Sequence, residues 1–170
     1  MAFDRSAERR PRQRVDPYVS PALFTSRETW DPTRIGALVM YCSDGRWGEA
    51  FDEFCHHRLH VPRYDRWAVP GGAAWIVAAA ADPEAHQAAW EQLDFLVRAH
   101  DLSRLVLMTH YGCAYYGERL HQDPDECLPV QLDDLCTAAA VLRERFPAMT
   151  IETYLAMRWG VLLSLHRVEG

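Results

Sequence analysis

Residues 35–46 read Ile35-Gly36-Ala37-Leu38-Val39-Met40-Tyr41-Cys42-Ser43-Asp44-Gly45-Arg46. The stretch begins as an apolar run typical of a buried strand and turns polar at Cys42. Cys42, Asp44 and Arg46 then occupy alternate positions, so extended or turning backbone places their side chains on one side. A thiol, a carboxylate and a guanidinium that directly follow a strand predict a functional site.

The same layout occurs a second time in residues 105–113, which read Leu105-Val106-Leu107-Met108-Thr109-His110-Tyr111-Gly112-Cys113. This stretch is also apolar at first, and it ends in two residue types that bind metals, His110 and Cys113. These two residues are three positions apart, which lets both reach one ion from a tight turn or from the first turn of a helix.

The composition limits the classes of function. A chain of 170 residues suits one domain with a proper core, and a net charge of −6 gives no support for nucleic-acid binding. No apolar run approaches the roughly 20 residues of a membrane span, and the N-terminus is charged rather than signal-like, so we expect a cytoplasmic protein with a small-molecule substrate.

Lysine and cysteine usage exclude further chemistry. All 18 basic residues are arginine, which rules out a lysine Schiff base, a lysine nucleophile and the phosphate-binding lysine of a P-loop. The number of cysteines is odd and their spacing is not that of a small disulfide scaffold, so reduced thiols are expected at Cys42, Cys55, Cys113, Cys127 and Cys136.

Apolar periodicity predicts strands that alternate with helices. The predicted strands are residues 35–41, 65–69, 105–109, 150–157 and 161–168, and the predicted helices are 48–60, 73–100 with a break near Pro83, and 130–146. This order predicts an α/β fold with a mainly parallel central sheet flanked by helices. In such sheets ligands bind beyond the carboxyl ends of the strands, where Cys42 and His110 would come together.

Two thiols and one imidazole favour zinc, which binds such donors in tetrahedral geometry. Cys42, His110 and Cys113 supply this set. Asp44 has two possible roles: it could take the fourth position on the metal, or it could accept hydrogen bonds from Arg46 and orient a zinc-bound water.

Cys-x-Asp-x-Arg at residues 42–46, followed by His-x-x-Cys at residues 110–113, resembles the motifs of the β-class carbonic anhydrases. The resemblance covers about residues 35–168. It implies a β-carbonic anhydrase-like fold, a dimeric building block, and a zinc ion held by the two cysteines and the histidine. It also implies that Asp44 and Arg46 form the catalytic dyad.

The resemblance implies a zinc-dependent lyase, a carbonate dehydratase that hydrates carbon dioxide reversibly to bicarbonate by a zinc-bound hydroxide. Two alternatives stay open: a hydrolase of a small heterocumulene, carbon disulfide or carbonyl sulfide, on the same site, or a non-catalytic zinc-binding protein of the same fold. The family's Arg-Asn-x-x-Asn-like segment is replaced here by Val-Pro-Gly-Gly-Ala-Ala at residues 69–74, and Ala114 stands where the family usually has glycine. These departures fit a remodelled pocket.

The predicted domain organisation is an N-terminal arm, residues 1–34, and a zinc-binding domain, residues 35–170. The arm is partly flexible or packs on a partner subunit, because it holds several aromatic side chains but too few apolar residues for a core. A short parallel sheet also has exposed edges that need covering. We therefore expect a homodimer or a higher multiple of dimers; the aromatic residues of the arm are Phe3, Tyr18, Phe24 and Trp30.

Two other motifs have a functional and a plain interpretation. His56 and His60 would share one face of a helix, either as a rival metal site or as solvated side chains. Residues 70–72, Pro-Gly-Gly, precede a predicted helix and either bind an anion at its N-terminus or form an ordinary tight turn.

Overall fold

The computed structural model describes residues 22–77 and 83–170. The chain divides into two compact units, Met1–Pro32 and Thr33–Gly170. No helix among the described residues is long and apolar enough to cross a membrane.

The described part of the first unit, residues 22–32, contains no helix or strand. The side chains of Phe24 and Trp30 are exposed. Phe3 and Tyr18 lie outside the described residues, so the packing of the arm on a partner stays a prediction.

The second unit is built on one five-stranded sheet with the strand order β2-β1-β3-β4-β5. Strand β1 pairs in parallel with β2 and β3, β3 pairs in parallel with β4, and β4 pairs with β5 in antiparallel fashion. This confirms the predicted α/β fold with a mainly parallel sheet. The strands are β1 Ala37–Cys42, β2 Asp65–Val69, β3 Arg104–His110, β4 Thr150–Trp159 and β5 Leu162–Arg167.

The helices lie between the strands, as the alternating pattern predicts. They are α1 Gly48–Glu53, which continues as a π-helical turn over Phe54–Arg58, α2 Ala74–Val77, α3 Pro83–His100, α4 Ala114–Leu120 and α5 Pro124–Arg145.

The two faces of the sheet carry separate cores, because successive side chains of a strand point to opposite faces. Leu38 and Met40 of β1 pack on one face with apolar residues of α2, α3 and α5. Val39 and Tyr41 pack on the other face with α1 and the π-helical turn. Every residue of β1 is buried, which explains why its sequence is a continuous apolar run rather than an alternating one.

Helix α5 begins six residues before the predicted start at residue 130. Asp123 caps it: its side chain accepts hydrogen bonds from the backbone N–H groups of Asp125 at 2.9 Å and Glu126 at 3.0 Å. Pro124 is at the first helical position, where a missing N–H costs nothing. Pro129 lies exposed inside the helix, so water can hydrate the carbonyl that it leaves unpaired.

The predicted helix over residues 48–60 is wrong in its second half. The α-helical pattern ends at Glu53, and the following turn is closed by a bond from Leu59 N–H to the Phe54 carbonyl, five residues back. His60 lies beyond this turn with a positive φ of 55°. His56 and His60 therefore do not share a helix face.

Strands β4 and β5 form a hairpin whose last pair is Trp159 with Leu162. The turn is Gly160-Val161, whereas the sequence predicts it at Trp159-Gly160. Gly160 has a φ of 58°, the conformation that the first central residue of a type II′ turn requires. The tight turn extends β4 to Trp159, two residues beyond its predicted end.

The cap of α5 should be measurable as stability. We expect Asp123→Ala to lower the free energy of unfolding by about 1 kcal/mol, because two backbone N–H groups lose their acceptor. Urea denaturation followed by circular dichroism measures this change. Asp133→Ala, an exposed substitution in the interior of the same helix, should stay within about 0.5 kcal/mol of the parent; equal losses in the two variants would contradict the capping role.

Candidate metal centre

The parallel pairing of β1 with β3 brings Cys42 and His110 together, because each is the last residue of its strand. Cys113 follows three residues after His110 at the N-cap of α4. One donor atom from each of the three residues lies within 4.8 Å of the other two, and the Cys42 and Cys113 sulfurs are 3.6 Å apart. All three residues are buried.

The hydrogen bonding of His110 leaves one ring nitrogen available for a metal. Nδ1 is 3.1 Å from the carbonyl oxygen of Tyr111, and since a carbonyl only accepts, Nδ1 donates its proton there. Nε2 is then the unprotonated nitrogen, and it is buried without a hydrogen-bond partner in the described part of the chain. A buried nitrogen lone pair beside two sulfurs is costly unless something binds it. The residues present therefore fit a metal ion.

The Cys42 and Cys113 sulfurs lie within hydrogen-bonding distance of each other, and their pKa values shift in opposite directions. This hydrogen bond lowers the pKa of Cys42. Burial opposes this shift, whereas the neighbouring His110 side chain and the backbone N–H groups of Asp44 and Gly71 lower the pKa of Cys42 further. The same hydrogen bond, together with burial, raises the pKa of Cys113. These shifts favour the thiolate at Cys42, and a bound cation would favour ionisation of both thiols.

The Pro70-Gly71-Gly72 turn follows β2 and lies against the other side of Cys42. Gly72 has a φ of 54°, and a Cβ there would be 3.1 Å from the backbone nitrogen of Cys42. A Cβ on Gly71 would overlap the ring of Tyr115 at 2.3 Å. The absence of side chains at Gly71 and Gly72 therefore lets the turn pack directly against Tyr115 and the backbone of Cys42. The segment forms a tight turn, which is one of the two predicted interpretations.

Asp44 and Arg46 form the predicted pair at the opening of the site. Arg46 Nε donates to Asp44 Oδ1 at 2.9 Å, Nη2 donates to Oδ2 at 2.5 Å, and the Arg46 backbone N–H donates to Oδ1 at 3.1 Å. The guanidinium holds the pKa of Asp44 down to about 2. The Asp44 carboxylate is not among the donor atoms that cluster with Cys42. In this structure it is held by Arg46.

Two residues that the sequence analysis did not single out support His110. The ring of Trp47 stacks on the imidazole, with 4.9 Å between centroids and 27° between planes. Gln131 of α5 is buried, and its Nε2 donates to the backbone carbonyl of His110 at 3.2 Å. The signal for Gln131 is a lone amide at helical spacing from the apolar residues Leu135 and Ala138.

A cleft of about 300 Å³ lies next to the ligands and has a mixed polar and aromatic lining. The loops after β1 and β3 contribute to it, together with the last residues of β4, the start of β5 and the start of α5. The lining residues are Arg46, Trp47, Tyr111, Gly112, Pro124, Arg158 and Leu163.

The rival histidine site is not formed. Within residues 22–77 and 83–170, the Cys42, His110 and Cys113 set is the one group of three or more potential ligands close enough to share an ion. His56 instead lies near Tyr64, with 6.1 Å between ring centroids.

Comparisons with known proteins give a distant likeness in fold. No protein-family model matches the chain, and no curated protein matches it. Among solved structures, the chain is similar to the β-carbonic anhydrase CafA of the fungal pathogen Aspergillus fumigatus, with 12% sequence identity and a TM-score of 0.44. The similarity covers 81% of this chain and 77% of that one.

The donor set predicts one metal ion per chain. Elemental analysis of protein purified without added metal should show it, and Cys113→Ser should lose most of it because one of the two sulfur donors is gone. Cys136→Ser, which changes a thiol outside the site, should keep the full content. Full metal retention in both Cys42→Ser and Cys113→Ser would refute the assignment.

Proposed function

We propose that the chain is a zinc-dependent enzyme that hydrates carbon dioxide reversibly to bicarbonate. The observation that carries the proposal is the buried Cys₂His donor set with a carboxylate–guanidinium pair beside it. Two sulfurs and one imidazole nitrogen leave one of four tetrahedral positions open, as in catalytic rather than structural zinc sites. The resemblance of residues 42–46 and 110–113 to the β-class carbonic anhydrase motifs supports the same activity.

Cys42, His110 and Cys113 would hold the zinc ion. When bound, zinc supplies Lewis acidity, which makes a nucleophile available from water near neutral pH. Trp47 covers one face of His110 and also lines the cleft, so it keeps the imidazole in place and shields it from solvent. Gln131 holds the backbone of His110 in place through its hydrogen bond to the His110 carbonyl oxygen.

Asp44 would orient the attacking water. Arg46 lowers the pKa of Asp44, so the carboxylate form, which accepts a hydrogen bond rather than donating a proton, is favoured. Arg46 binds both carboxylate oxygens and fixes their direction. A fixed acceptor aligns the lone pair of the nucleophile with the carbon of the substrate, which lowers the entropic part of the barrier.

The pair is expected to act as a unit. Asp44→Asn and Arg46→Ala should each reduce kcat/KM for carbon dioxide by about 100-fold while the zinc content stays that of the parent. The double variant should be little worse than either single variant, because both remove the same oriented acceptor. Stopped-flow hydration assays measure the rates, with Glu49→Gln as a nearby exposed control.

Additive losses in that double variant would show that the two residues do separate jobs. Parallel assays with carbon disulfide separate the related hydrolase. Absence of turnover on both substrates in zinc-loaded protein would refute catalysis altogether.

We also propose that the protein is a homodimer. Strand β5 is an edge of the sheet, and the adjoining hairpin turn exposes large apolar side chains. Trp159 is 75% exposed, Val161 95% and Leu162 72%. An unpaired strand edge next to an apolar surface favours pairing, and a second copy of the same edge supplies a strand of matching length.

Charged substitutions on this hairpin should separate the subunits. We expect Val161→Glu combined with Leu162→Glu to convert the dimer to a monomer with unchanged circular dichroism, because both side chains lie on the surface. Light scattering measures the mass, and a chain that begins near Trp30 tests the arm separately. A monomeric parent protein with normal activity would refute the dimer; a dimer that survives the double substitution would place the interface elsewhere.

A further inference from the structure

We propose that the cleft beside the metal centre binds a small oxyanion, a carboxylate or bicarbonate, through Arg158 and the free end of the Arg46 guanidinium. The binding itself does not depend on the proposed reaction, whereas its meaning for catalysis rests on the proposed function.

The cleft combines residues that are distant in sequence. Arg46 follows β1, Tyr111 and Gly112 follow β3, and Arg158 lies near the end of β4. Its volume of about 300 Å³ is at the lower end of pockets that hold small organic ligands. There is therefore room for a ligand larger than carbon dioxide.

The charge of the lining is opposite to that of the chain. The chain has a net charge of −6, yet the cleft is lined by two arginines and no carboxylate. The guanidinium of Arg46 is neutralised by Asp44. Asp125, which lies nearby, accepts a hydrogen bond from the Tyr111 hydroxyl at 2.6 Å.

Arg158 is the uncompensated charge of this cleft. It makes no ion pair and no side-chain hydrogen bond with any residue in the described ranges 22–77 and 83–170, and it is exposed. Its planar fork of N–H donors matches the geometry of a carboxylate.

Arg46 can contribute a second donor group. Its bonds to Asp44 use the backbone N–H, Nε and Nη2. Nη1 has no partner among the described residues. An oxyanion in the cleft could therefore accept hydrogen bonds from Arg46 without breaking the Asp44 pair.

This arrangement distinguishes the two sides of the proposed reaction. Carbon dioxide and water give bicarbonate and a proton, so a neutral substrate becomes an anion within the site. A free guanidinium gains little from the neutral molecule and attracts the anion. Arg158 would therefore set the affinity for bicarbonate and leave that for carbon dioxide nearly unchanged.

Binding can be measured without turnover. The probe is sodium formate, titrated into the zinc-loaded full chain at constant ionic strength and followed by the amide resonances of residues that line the cleft, such as Gly112. We expect saturable shifts and a dissociation constant that rises about threefold to tenfold in Arg158→Gln. Arg158→Lys should show a smaller loss, since it keeps the charge but not the fork.

Arg167→Gln is the matched control, because Arg167 is an exposed arginine on β5 that does not line the cleft. It should bind formate as the parent does. Equal losses in the two glutamine variants, undiminished binding in Arg158→Gln, or no saturable binding by the parent would each overturn the inference.

Kinetics then separate this inference from the proposed function. If both hold, Arg158→Gln raises KM for bicarbonate by the factor seen with formate and leaves KM for carbon dioxide unchanged. If the protein binds formate in an Arg158-dependent way but does not hydrate carbon dioxide, the anion site is supported and the proposed function is refuted.

Discussion

The parallel register of β1 and β3 is the constraint on which the site depends. Tyr41 pairs with Met108, so the two strands end side by side and deliver Cys42 and His110 to one edge of the sheet. A shift of one residue in either strand would turn the delivered side chain to the opposite face. The register is fixed by burial on both faces, because Leu38 and Met40 belong to one core and Val39 and Tyr41 to the other. The cores of the domain therefore also determine the geometry of the metal centre.

Charge around the centre is arranged in pairs. The two sulfurs are hydrogen-bonded to each other, and Asp44 is ion-paired with Arg46. Within each pair the two groups are hydrogen-bonded to each other. The thiolate form of Cys42 is favoured by hydrogen bonds rather than by a nearby cation. Arg158 stands apart from this pattern, since no described carboxylate balances it.

The sequence predicted the parts of the fold and site that depend on local pattern. The apolar runs before Cys42 and His110 are long enough to identify buried strands. Ligands in parallel sheets bind beyond the carboxyl ends of the strands, and this rule predicts that Cys42 and His110 lie close together. The start of α5 is predicted six residues too late because the segment with Pro124 and Pro129 is ambiguous by apolar spacing, whereas the cap at Asp123 with Pro124 is the decisive signal. The helix over residues 48–60 was too long because apolar spacing does not distinguish an α-helical from a π-helical turn.

Other features could not be read from the sequence because they depend on tertiary contacts. Trp47 stacks on a ring that is 63 positions away in the chain, and nothing in its local sequence marks it. Arg158 lines the cleft from the part of β4 that extends past its predicted end at residue 157. The approach of Cys42, His110 and Cys113 was expected from topology and is found in the structure, whereas the binding of a zinc ion by these residues remains a prediction.

The glycine turn beside Cys42 limits how this site can vary. Because a side chain at Gly72 would press on the backbone of Cys42, the turn can present only main-chain groups to the sulfur. The Gly71 N–H donor does not titrate and does not depend on a side chain, so its contribution to stabilising the Cys42 thiolate does not change with pH. Evolutionary changes in the basicity of the Cys42 sulfur are then open mainly to the side chains around it, Cys113 and His110, while the turn stays fixed.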